Sequence, residues 1–279
     1  MNKLSSKNYI RELLAENGLY AKKHFGQNFL TDAHVLGKIV AAAELDPLDL
    51  VLEIGPGLGV LTAELAKQAA HVAAIEIDKD LVGILRATVA QDTKNISIHN
   101  HDILKADIAA LLEELGCSSL KVVANLPYYI TSPVIFGLLE QGLPITSMVV
   151  MVQKEVADRF LAAPSTKAYG IPSLSLAYYG TASLVANVPP NCFHPRPDVM
   201  SAVIRIDVKP RTDINPKTFF PLVRAAFANR RKTLANNLHA HLGLSKTQAQ
   251  DIIAAASLPE AIRGEALNLN DFIRLSSQL

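Results

Sequence analysis

The sequence contains few cysteines and no long hydrophobic run. Its two cysteines among 279 residues, Cys117 and Cys192, lie far apart and form no C-x-x-C pair. This excludes a disulfide framework and favours a reducing, cytoplasmic setting. No apolar segment approaches the roughly 18–20 residues that a membrane-spanning helix needs. The N-terminus carries acidic side chains and lacks an uninterrupted apolar core, so it does not predict a secretory signal.

Composition and charge predict a folded protein with basic ends. Apolar residues make up 49% of the chain and charged residues 19%, which allows a sizeable core in one large domain or two. The net charge is +1, but residues 1–39 carry +3, residues 40–150 carry −8 and residues 151–279 carry +6. The two basic ends indicate contacts with a polyanion, although an ordinary solvated surface would produce the same asymmetry.

Strands and helices alternate through the centre of the chain. This rhythm predicts a parallel, doubly wound, Rossmann-like sheet with right-handed crossovers. An antiparallel hairpin at the edge of the sheet is expected over residues 173–186 and 201–208. Composition changes at Pro210, after which the pattern is helical. We therefore expect an α/β domain over residues 1–209 and a small all-helical domain over residues 210–279.

The stretch VLEIGPGLG, residues 51–59, predicts a strand, a tight glycine turn and a helix. Glycine permits positive φ and lets a ligand lie against bare backbone, and the helix that follows offers unpaired N–H groups. A dinucleotide fingerprint would be G-x-G-x-x-G. Here Glu53 precedes G-x-G-x-G, which resembles the turn of S-adenosylmethionine (AdoMet) methyltransferases. Some glycine turns of this kind bind nothing, so the turn alone does not decide the function.

Acids at the next two strand ends strengthen the case for an adenosyl ligand. Glu76 follows Gly55 by 21 residues, close to the roughly 20 expected for an acid that accepts from a ribose hydroxyl pair. Asp102 could accept from an adenine amino group, or it could cap a helix. His99 and His101 share one face of a strand, but no third ligand lies nearby in sequence. We therefore expect no metal.

The segment Asn125-Leu126-Pro127-Tyr128 resembles the signature of methyltransferases that act on exocyclic amino groups. The adenine N6 lone pair is delocalised into the ring and is a poor nucleophile. The Asn125 side-chain oxygen and the Leu126 carbonyl can each accept one N6–H, which favours a tetrahedral nitrogen. Pro127 fixes φ, and Tyr128 can stack on a base swung out of its helix or loop. The alternative is a strand that ends at proline, followed by a buried tyrosine.

Three other segments supply candidates for substrate contacts. Phe193 could form the other face of a base sandwich or plug the core, and Arg196 could reach a phosphate. Lys22 and Lys23 precede Asn28 in a segment that has two interpretations. It is either a surface loop, or a lid in which the lysines contact phosphate and Asn28 contacts a small polar ligand. The basic run Arg230, Arg231 and Lys232 would suit phosphate contacts, or it is a solvated helix start.

These motifs together resemble the KsgA/RsmA family of ribosomal RNA adenine dimethyltransferases, from about Lys22 to the C-terminus. The resemblance rests on residues 25–30, 53–57, 125–128, 193–199 and 230–234. It implies AdoMet-dependent dimethylation of N6 on two adjacent adenosines in the 3′-terminal hairpin loop of 16S (small-subunit) rRNA. It also implies recognition of a partly assembled 30S subunit and a role in its maturation.

The resemblance also implies a role for each matched residue. Asn28 and Leu30 would border the methionine end of AdoMet, and Gly55 and Gly57 would contact it through their backbone. Glu76 would hold the ribose, and Asp102 would hold the adenine. Asn125 would orient the target N6 of a base that lies between Tyr128 and Phe193.

Three alternatives remain open, and one of them is a DNA adenine methylase. A resistance-type methylase of 23S rRNA shares the fold and the Asn-Leu-Pro-Tyr type of site, although residues 193–197 and 230–234 favour the maturation enzyme by resemblance. An assembly or transcription factor on the same fold would bind RNA without catalysis, although intact Glu76, Asp102 and Asn125 speak against it. We expect a cytoplasmic monomer in every case.

Overall fold

The computed structural model describes residues 6–22, 25–91, 93–116 and 118–279. Its contacts divide the chain into two compact units. The first comprises residues 1–157 and 183–208, and the second comprises residues 158–182 and 209–279. The sequence had placed 158–182 in the first domain, whereas the contacts of this segment lie within the second unit. In the described ranges, no helix is long and apolar enough to cross a membrane.

A seven-stranded sheet of order β4-β3-β2-β5-β6-β9-β7 forms the centre of the first unit. The first five strands in this order pair in parallel, and β9 is antiparallel to β6. The strands of the sheet are β2 (Leu50–Ile54), β3 (His71–Glu76), β4 (Ile96–Asn100), β5 (Leu120–Asn125), β6 (Ile145–Gln153), β7 (Gly180–Val188) and β9 (Ser201–Val208). The sheet is therefore mostly parallel with an antiparallel edge, as predicted.

The central strands are apolar runs because both of their faces are covered. All five residues of β2 are buried, and β3 and β5 are nearly as enclosed, as parallel strands between helical layers require. Ile54 pairs with Ile75 and with Ala124. The carboxyl ends of these three strands therefore meet at one edge, where ligands of such sheets bind.

Helices of the first unit connect and cover the strands. Three begin at an aspartate whose carboxylate accepts a backbone N–H: Asp32, Asp78 and Asp107. This capping satisfies donors that the first turn leaves unpaired. The helices are α1 (Lys7–Glu16), α2 (Ala33–Ala43), α3 (Val60–Leu65), α4 (Lys79–Thr88), α5 (Ile108–Glu114) and α6 (Thr131–Glu140), with α7 (Lys154–Phe160) crossing into the second unit.

A separate two-stranded sheet pairs β1 (Phe29–Leu30) with β8 (Phe193–His194). Leu30 lies opposite Phe193, and the Thr31 N–H donates to the Cys192 carbonyl at 2.8 Å. This pairing, which the sequence did not predict, ties the segment before α2 to the proline-rich connector after β7.

The strand predicted over residues 173–186 is wrong for its first half. Residues Ile171–Tyr179 form α8, and β7 begins only at Gly180. The Ser-Leu-Ser-Leu run alternates like a strand, but Pro172 in the first turn is a helix-start signal. The Ser173 hydroxyl donates to the Arg159 carbonyl at 2.6 Å, so this buried polar group is satisfied by a carbonyl of α7.

The second unit is helical and packs around aromatic side chains. Phe219 and Phe272 are fully buried, with ring centroids 6.4 Å apart, and Phe227 stacks on Phe272 at 6.2 Å. Edge-to-face and offset pairs of this kind stabilise a core beyond their buried area. The helices after the sheet, which confirm the predicted C-terminal helical region, are α9 (Pro216–Phe227), α10 (Leu234–Leu242), α11 (Lys246–Ala255) and α12 (Leu269–Ser276).

Candidate active site

The glycine turn after β2 requires glycine at two positions because of its backbone conformation and its close protein neighbours. Gly57 has a φ of 61°, and a Cβ there would lie 3.2 Å from two ring carbons of Phe29. Gly59 has a φ of 81°, and a Cβ there would collide with Val89 and lie 2.8 Å from Leu85. Positive φ and close neighbours together require glycine at both positions.

Glu76, the last residue of β3, is joined to the glycine turn. Its carboxylate accepts the Gly57 N–H at 3.2 Å and the Asp78 N–H at 2.9 Å. Burial raises the pKa of Glu76, while the two N–H donors oppose that rise. Each carboxylate oxygen keeps a second lone pair, so Glu76 can still accept from a pair of hydroxyl groups.

Asp102 caps a turn, which is one of the two roles that the sequence left open, and adenine binding stays a prediction for it. Its Oδ1 accepts the Leu104 N–H at 3.0 Å, which caps a short turn after β4. The side chain also lines the same cavity as Glu76, beside the exposed apolar side chains of Ile77 and Leu104. An acceptor flanked by apolar side chains can bind the amino edge and the faces of an adenine ring.

Glu53 is the buried acid of the site. Its side chain is 1% exposed, and within the described residues its Oε2 has no hydrogen-bond partner. Burial, with the charge of nearby Glu76, raises the pKa of Glu53 to about 8. A pKa of about 8 favours the protonated form of Glu53 at neutral pH, and this residue, with its buried unsatisfied oxygen, lines the cavity.

The segment before β1 is fastened to the site by Asp78. The Lys22 ammonium donates to Asp78 and to Asp80, each at 2.7 Å, and Gln27 Nε2 donates to Asp78 at 2.8 Å. Burial disfavours the charge on Asp78, but the bonds from Lys22 and Gln27 outweigh it and lower the Asp78 pKa. Lys22 thus bonds to carboxylates, whereas the sequence predicted a phosphate contact. Lys23, the other predicted contact, lies outside the described residues.

Asn125 ends β5 and is oriented by the same segment. Its Nδ2 donates to the Asn28 backbone carbonyl at 3.1 Å. A carbonyl can only accept, so the amide nitrogen must face Asn28, and the Asn125 Oδ1 is left as an acceptor. The hydrogen bond to Asn28 therefore fixes the orientation of the Asn125 amide, whose Oδ1 is the predicted acceptor for N6–H.

The residues after Asn125 form a rigid turn. The Leu126 N–H donates to the Met151 carbonyl at 3.2 Å, and Pro127 has a φ of −56°. Tyr128 is half-buried, and its hydroxyl is 2.7 Å from the Ser201 hydroxyl on β9. Burial raises the Tyr128 pKa. Tyr129 is 60% exposed and also lines the cavity, so it is the more accessible aromatic side chain for a base.

Phe193 and Arg196 lie apart from this cavity. Phe193 is 2% exposed within the hydrophobic core beneath β1 and is absent from the cavity wall. This is the core-plug alternative that the sequence allowed, and stacking on a base stays a prediction for Phe193. Arg196 is exposed on the connector before β9, where a phosphate contact is sterically open to it.

In the second unit, all three cations of the basic cluster are exposed, and one of them, Arg230, is also bonded to backbone carbonyls. Arg230 donates to the carbonyls of Lys167 and Thr166 at 2.9 and 3.3 Å. Arg231 and Lys232 are exposed in the turn before α10. Phosphate binding stays a prediction for all three of Arg230, Arg231 and Lys232.

One cavity in the first unit brings most of the predicted residues together. Every predicted AdoMet-binding residue and four of the five predicted catalytic residues line it. They are Asn28, Leu30, Gly55, Gly57, Glu76, Asp102, Asn125, Leu126, Pro127 and Tyr128.

Comparison with known proteins identifies the family. The model of the family described as ribosomal RNA adenine dimethylase matches residues 18–273. The chain belongs to this family. As an rRNA adenine dimethylase, it is an AdoMet-dependent rRNA adenine methyltransferase.

Curated relatives carry one common description. A protein of Lachnoclostridium phytofermentans is 48% identical over 95% of this chain and 93% of its own length. A protein of Streptococcus mutans is 47% identical over 99% of this chain and 98% of its own length. A protein of Clostridioides difficile is 43% identical over 99% and 97%. All three are described as ribosomal RNA small subunit methyltransferase A.

Solved structures share the fold of the dimethylase at lower identity. A dimethyladenosine transferase from Plasmodium falciparum has a TM-score of 0.72 and 26% identity, covering 88% of this chain and 95% of that one. The 23S rRNA methyltransferase ErmE has a TM-score of 0.71 and 26% identity, covering 90% and 99%. A dimethyladenosine transferase and a 23S rRNA methyltransferase therefore resemble this chain equally in fold, so the shape of the fold does not identify the substrate RNA.

The cavity of this dimethylase fits AdoMet on observations of its own residues. Glu76 and Asp102 offer acceptors for hydroxyl and amino groups, Gly57 leaves the backbone bare, and Glu53 has an unsatisfied buried oxygen. Such an oxygen is costly unless a donor reaches it, and the cationic amino end of AdoMet is a donor.

The motifs missed several residues of the site. The motifs indicate Glu53 only as part of the glycine turn, and they indicate no role for Gln27, Asp78 or Tyr129. Asp78 could have been found because it stands two residues beyond Glu76, at the N-cap of a predicted helix. The partners Lys22 and Gln27 are more than 50 residues distant, and no local signal points to them.

Proposed function

We propose that this dimethylase transfers methyl groups from AdoMet to N6 of two adjacent adenosines in the 3′-terminal hairpin loop of 16S rRNA. Its substrate is the immature small subunit, and it acts as a cytoplasmic monomer. The relatives described as small subunit methyltransferases support this choice of substrate. The orientation of Asn125 is the observation that carries the chemistry.

Asn125 activates N6 by accepting one of its hydrogens. Because the Asn125 nitrogen is engaged by the Asn28 carbonyl, its oxygen is available to the substrate amino group without a change of rotamer. The Leu126 carbonyl accepts the second N6–H, and Pro127 restricts the backbone there. Two acceptors below the ring plane favour a tetrahedral N6 whose lone pair is no longer delocalised.

The remaining steps need positioning more than acid–base chemistry. AdoMet supplies the electrophilic methyl group when it is bound. Tyr128, or the more exposed Tyr129, stacks on the flipped base, and the cost of unstacking is offset there. The methylated N6 is cationic and acidic enough to lose its proton to water, so no strong general base is required. In-line placement of N6 supplies much of the acceleration.

RNA contacts come from exposed cations of both units. Arg196 is open to solvent in the first unit, and Arg231 and Lys232 are open to solvent in the second. Exposed lysine and arginine neutralise phosphates and release counterions. Lys22 is not assigned to phosphate, because its ammonium already bonds to the carboxylates of Asp78 and Asp80. We call the bonds of Lys22 and Gln27 to Asp78, with that of Lys22 to Asp80, the Asp78 latch.

Methyl transfer from labelled AdoMet tests the proposal. Unmethylated small subunits, large subunits and DNA are incubated in parallel with the enzyme, and the nucleosides are analysed. N6-dimethyladenosine confined to 16S rRNA is the expected result. Label in 23S rRNA would replace the proposed substrate with that of the resistance type. No transfer to any substrate, with AdoMet binding also absent, would indicate a non-catalytic RNA-binding factor.

A further inference from the structure

Residues 162–169, here called the 162–169 loop, are folded tightly onto the helical unit. The Ser165 N–H donates to the Glu265 carbonyl at 2.8 Å, and the Tyr169 hydroxyl donates to the Leu267 carbonyl at 2.7 Å. Ser165 has a φ of 67° although it is not glycine. A strained residue of this kind persists where its surroundings hold the backbone, and such positions concentrate at functional sites.

Arg230 is the third anchor of this loop. One guanidinium nitrogen donates to the Lys167 carbonyl at 2.9 Å and another donates to the Thr166 carbonyl at 3.3 Å. Two successive carbonyls suit the planar fork of arginine, whereas the compact ammonium of lysine cannot reproduce that two-point geometry. The described hydrogen bonds of Arg230 therefore serve the backbone of the loop.

Lys167 is the cation that the loop presents. Its side chain is exposed, and the ion pairs found among the described residues include none between Lys167 and a carboxylate. Because Arg230 bonds to the Lys167 carbonyl, Lys167 lies beside the turn that carries Arg231 and Lys232. Arg231 and Lys232 are exposed as well, and cations on neighbouring stretches of backbone suit a run of phosphates. Lys167 was not among the residues that the sequence motifs indicated.

We propose that Arg230 is a positioning residue that holds the 162–169 loop, and that Lys167 contacts rRNA phosphate together with Arg231 and Lys232. This inference rests on the proposed function, since it takes small-subunit rRNA as the ligand. It reassigns Arg230 from binding phosphate to orienting a neighbour, and it adds Lys167 to the RNA-binding surface.

A charge-conserving substitution separates positioning from charge. Binding of the full chain to unmethylated small subunits is measured over a KCl series at constant Mg²⁺. Arg230→Lys keeps the charge but loses the two-point bond to the loop. We expect it to flatten the slope of log K against log[KCl] by about one unit, the value of one lost phosphate contact. Lys167→Gln should flatten the slope equally, and the double variant should add nothing further.

Arg274→Lys provides the matched control. Arg274 also donates from its guanidinium to a backbone carbonyl, that of Ala256 at 3.1 Å, and to Asp271 at 2.6 Å. The same exchange there should leave the slope unchanged. An unchanged slope with Lys167→Gln overturns the proposal, and this exposed substitution does not depend on how well Arg230→Lys folds. An additive double variant overturns the positioning role.

Methyl transfer by the wild-type chain distinguishes the two levels of failure. If small-subunit rRNA receives no label, the proposed function fails. If label is transferred while Lys167→Gln and Arg230→Lys bind like the wild type at every salt concentration, only the assignment of Lys167 and Arg230 fails.

Discussion

The acidic cavity and the basic segments differ in what holds their charged side chains. In the cavity, Glu76 accepts from the backbone of Gly57 and Asp78, so strand and turn geometry sets its place. Lys22 instead bonds to side chains 56 and 58 residues away, and Arg230 bonds to carbonyls more than 60 residues away. The place of a residue at a strand end can be predicted from the sequence. The partner of a long lysine or arginine side chain cannot, because it depends on which residues the tertiary fold brings near.

We expect the largest effect, on the rate of methyl transfer, from a substitution of Asn125 at the end of β5. Asn125→Ala removes the acceptor for N6–H, and we expect methyl transfer to fall by about 100-fold or more, as when one positioned polar group is lost from an active site. AdoMet affinity should be largely retained. Single-turnover transfer and calorimetric AdoMet titration measure the two effects. Unchanged turnover would remove the account of N6 activation.

The glycine turn supplies the next largest effect, on folding. Gly59→Ala places a Cβ against Val89 and Leu85 at a positive φ, and overpacking together with left-handed strain should lower the free energy of unfolding by about 2–4 kcal/mol. Gly83→Ala is the control, because that helical glycine has no atom within 4 Å of a built Cβ. It should be neutral or stabilising by up to about 1 kcal/mol in urea unfolding. Equal effects would contradict the steric argument.

Glu53 gives a pH-dependent effect. Its folded pKa of about 8 lies above its ordinary value of 4.5, so the folded state holds the proton more tightly. The contribution of protonated Glu53 to the free energy of unfolding is complete below about pH 4.5, and it is lost as the pH rises through about 8. In that window, Glu53→Gln should remove a slope of up to about 1.4 kcal/mol per pH unit. Parallel unfolding curves of wild type and variant across the window would contradict the buried, protonated assignment.

The smallest effect is expected for the Asp78 latch. Lys22→Gln breaks both ion pairs, and we expect AdoMet affinity to weaken by about three- to tenfold through looser packing of residues 25–28 (an energy of the size of one partly buried pair). Lys38→Gln, on the exposed face of α2, is the control. A drop in the salt slope of RNA binding with intact AdoMet affinity would restore Lys22 to its predicted place on phosphate.

Several parts of the fold and the site could be predicted because local chemistry determines them. The strands before Gly55 and up to Glu76 are apolar runs with clear ends, and Asn125 precedes a proline that stops its strand. Helix α8 was misassigned because its serines alternate with leucines, and packing within the helical unit outweighed that pattern. The pairing of Leu30 with Phe193 joins distant segments, so no local pattern carries it.

The contact between Tyr128 and Ser201 has a consequence for synthesis of the protein on a ribosome. Ser201 begins β9, and it follows Tyr128 by 73 residues. β6 ends at Gln153, 48 residues before Ser201, so at about 5–20 residues per second a completed β6 waits about 2–10 s before β9 begins to be synthesised. During that interval β6, which is buried along almost its whole length in the finished protein, has an unpaired edge. Such an edge is a template for wrong pairing, so this sheet is most exposed to aggregation while translation is still in progress.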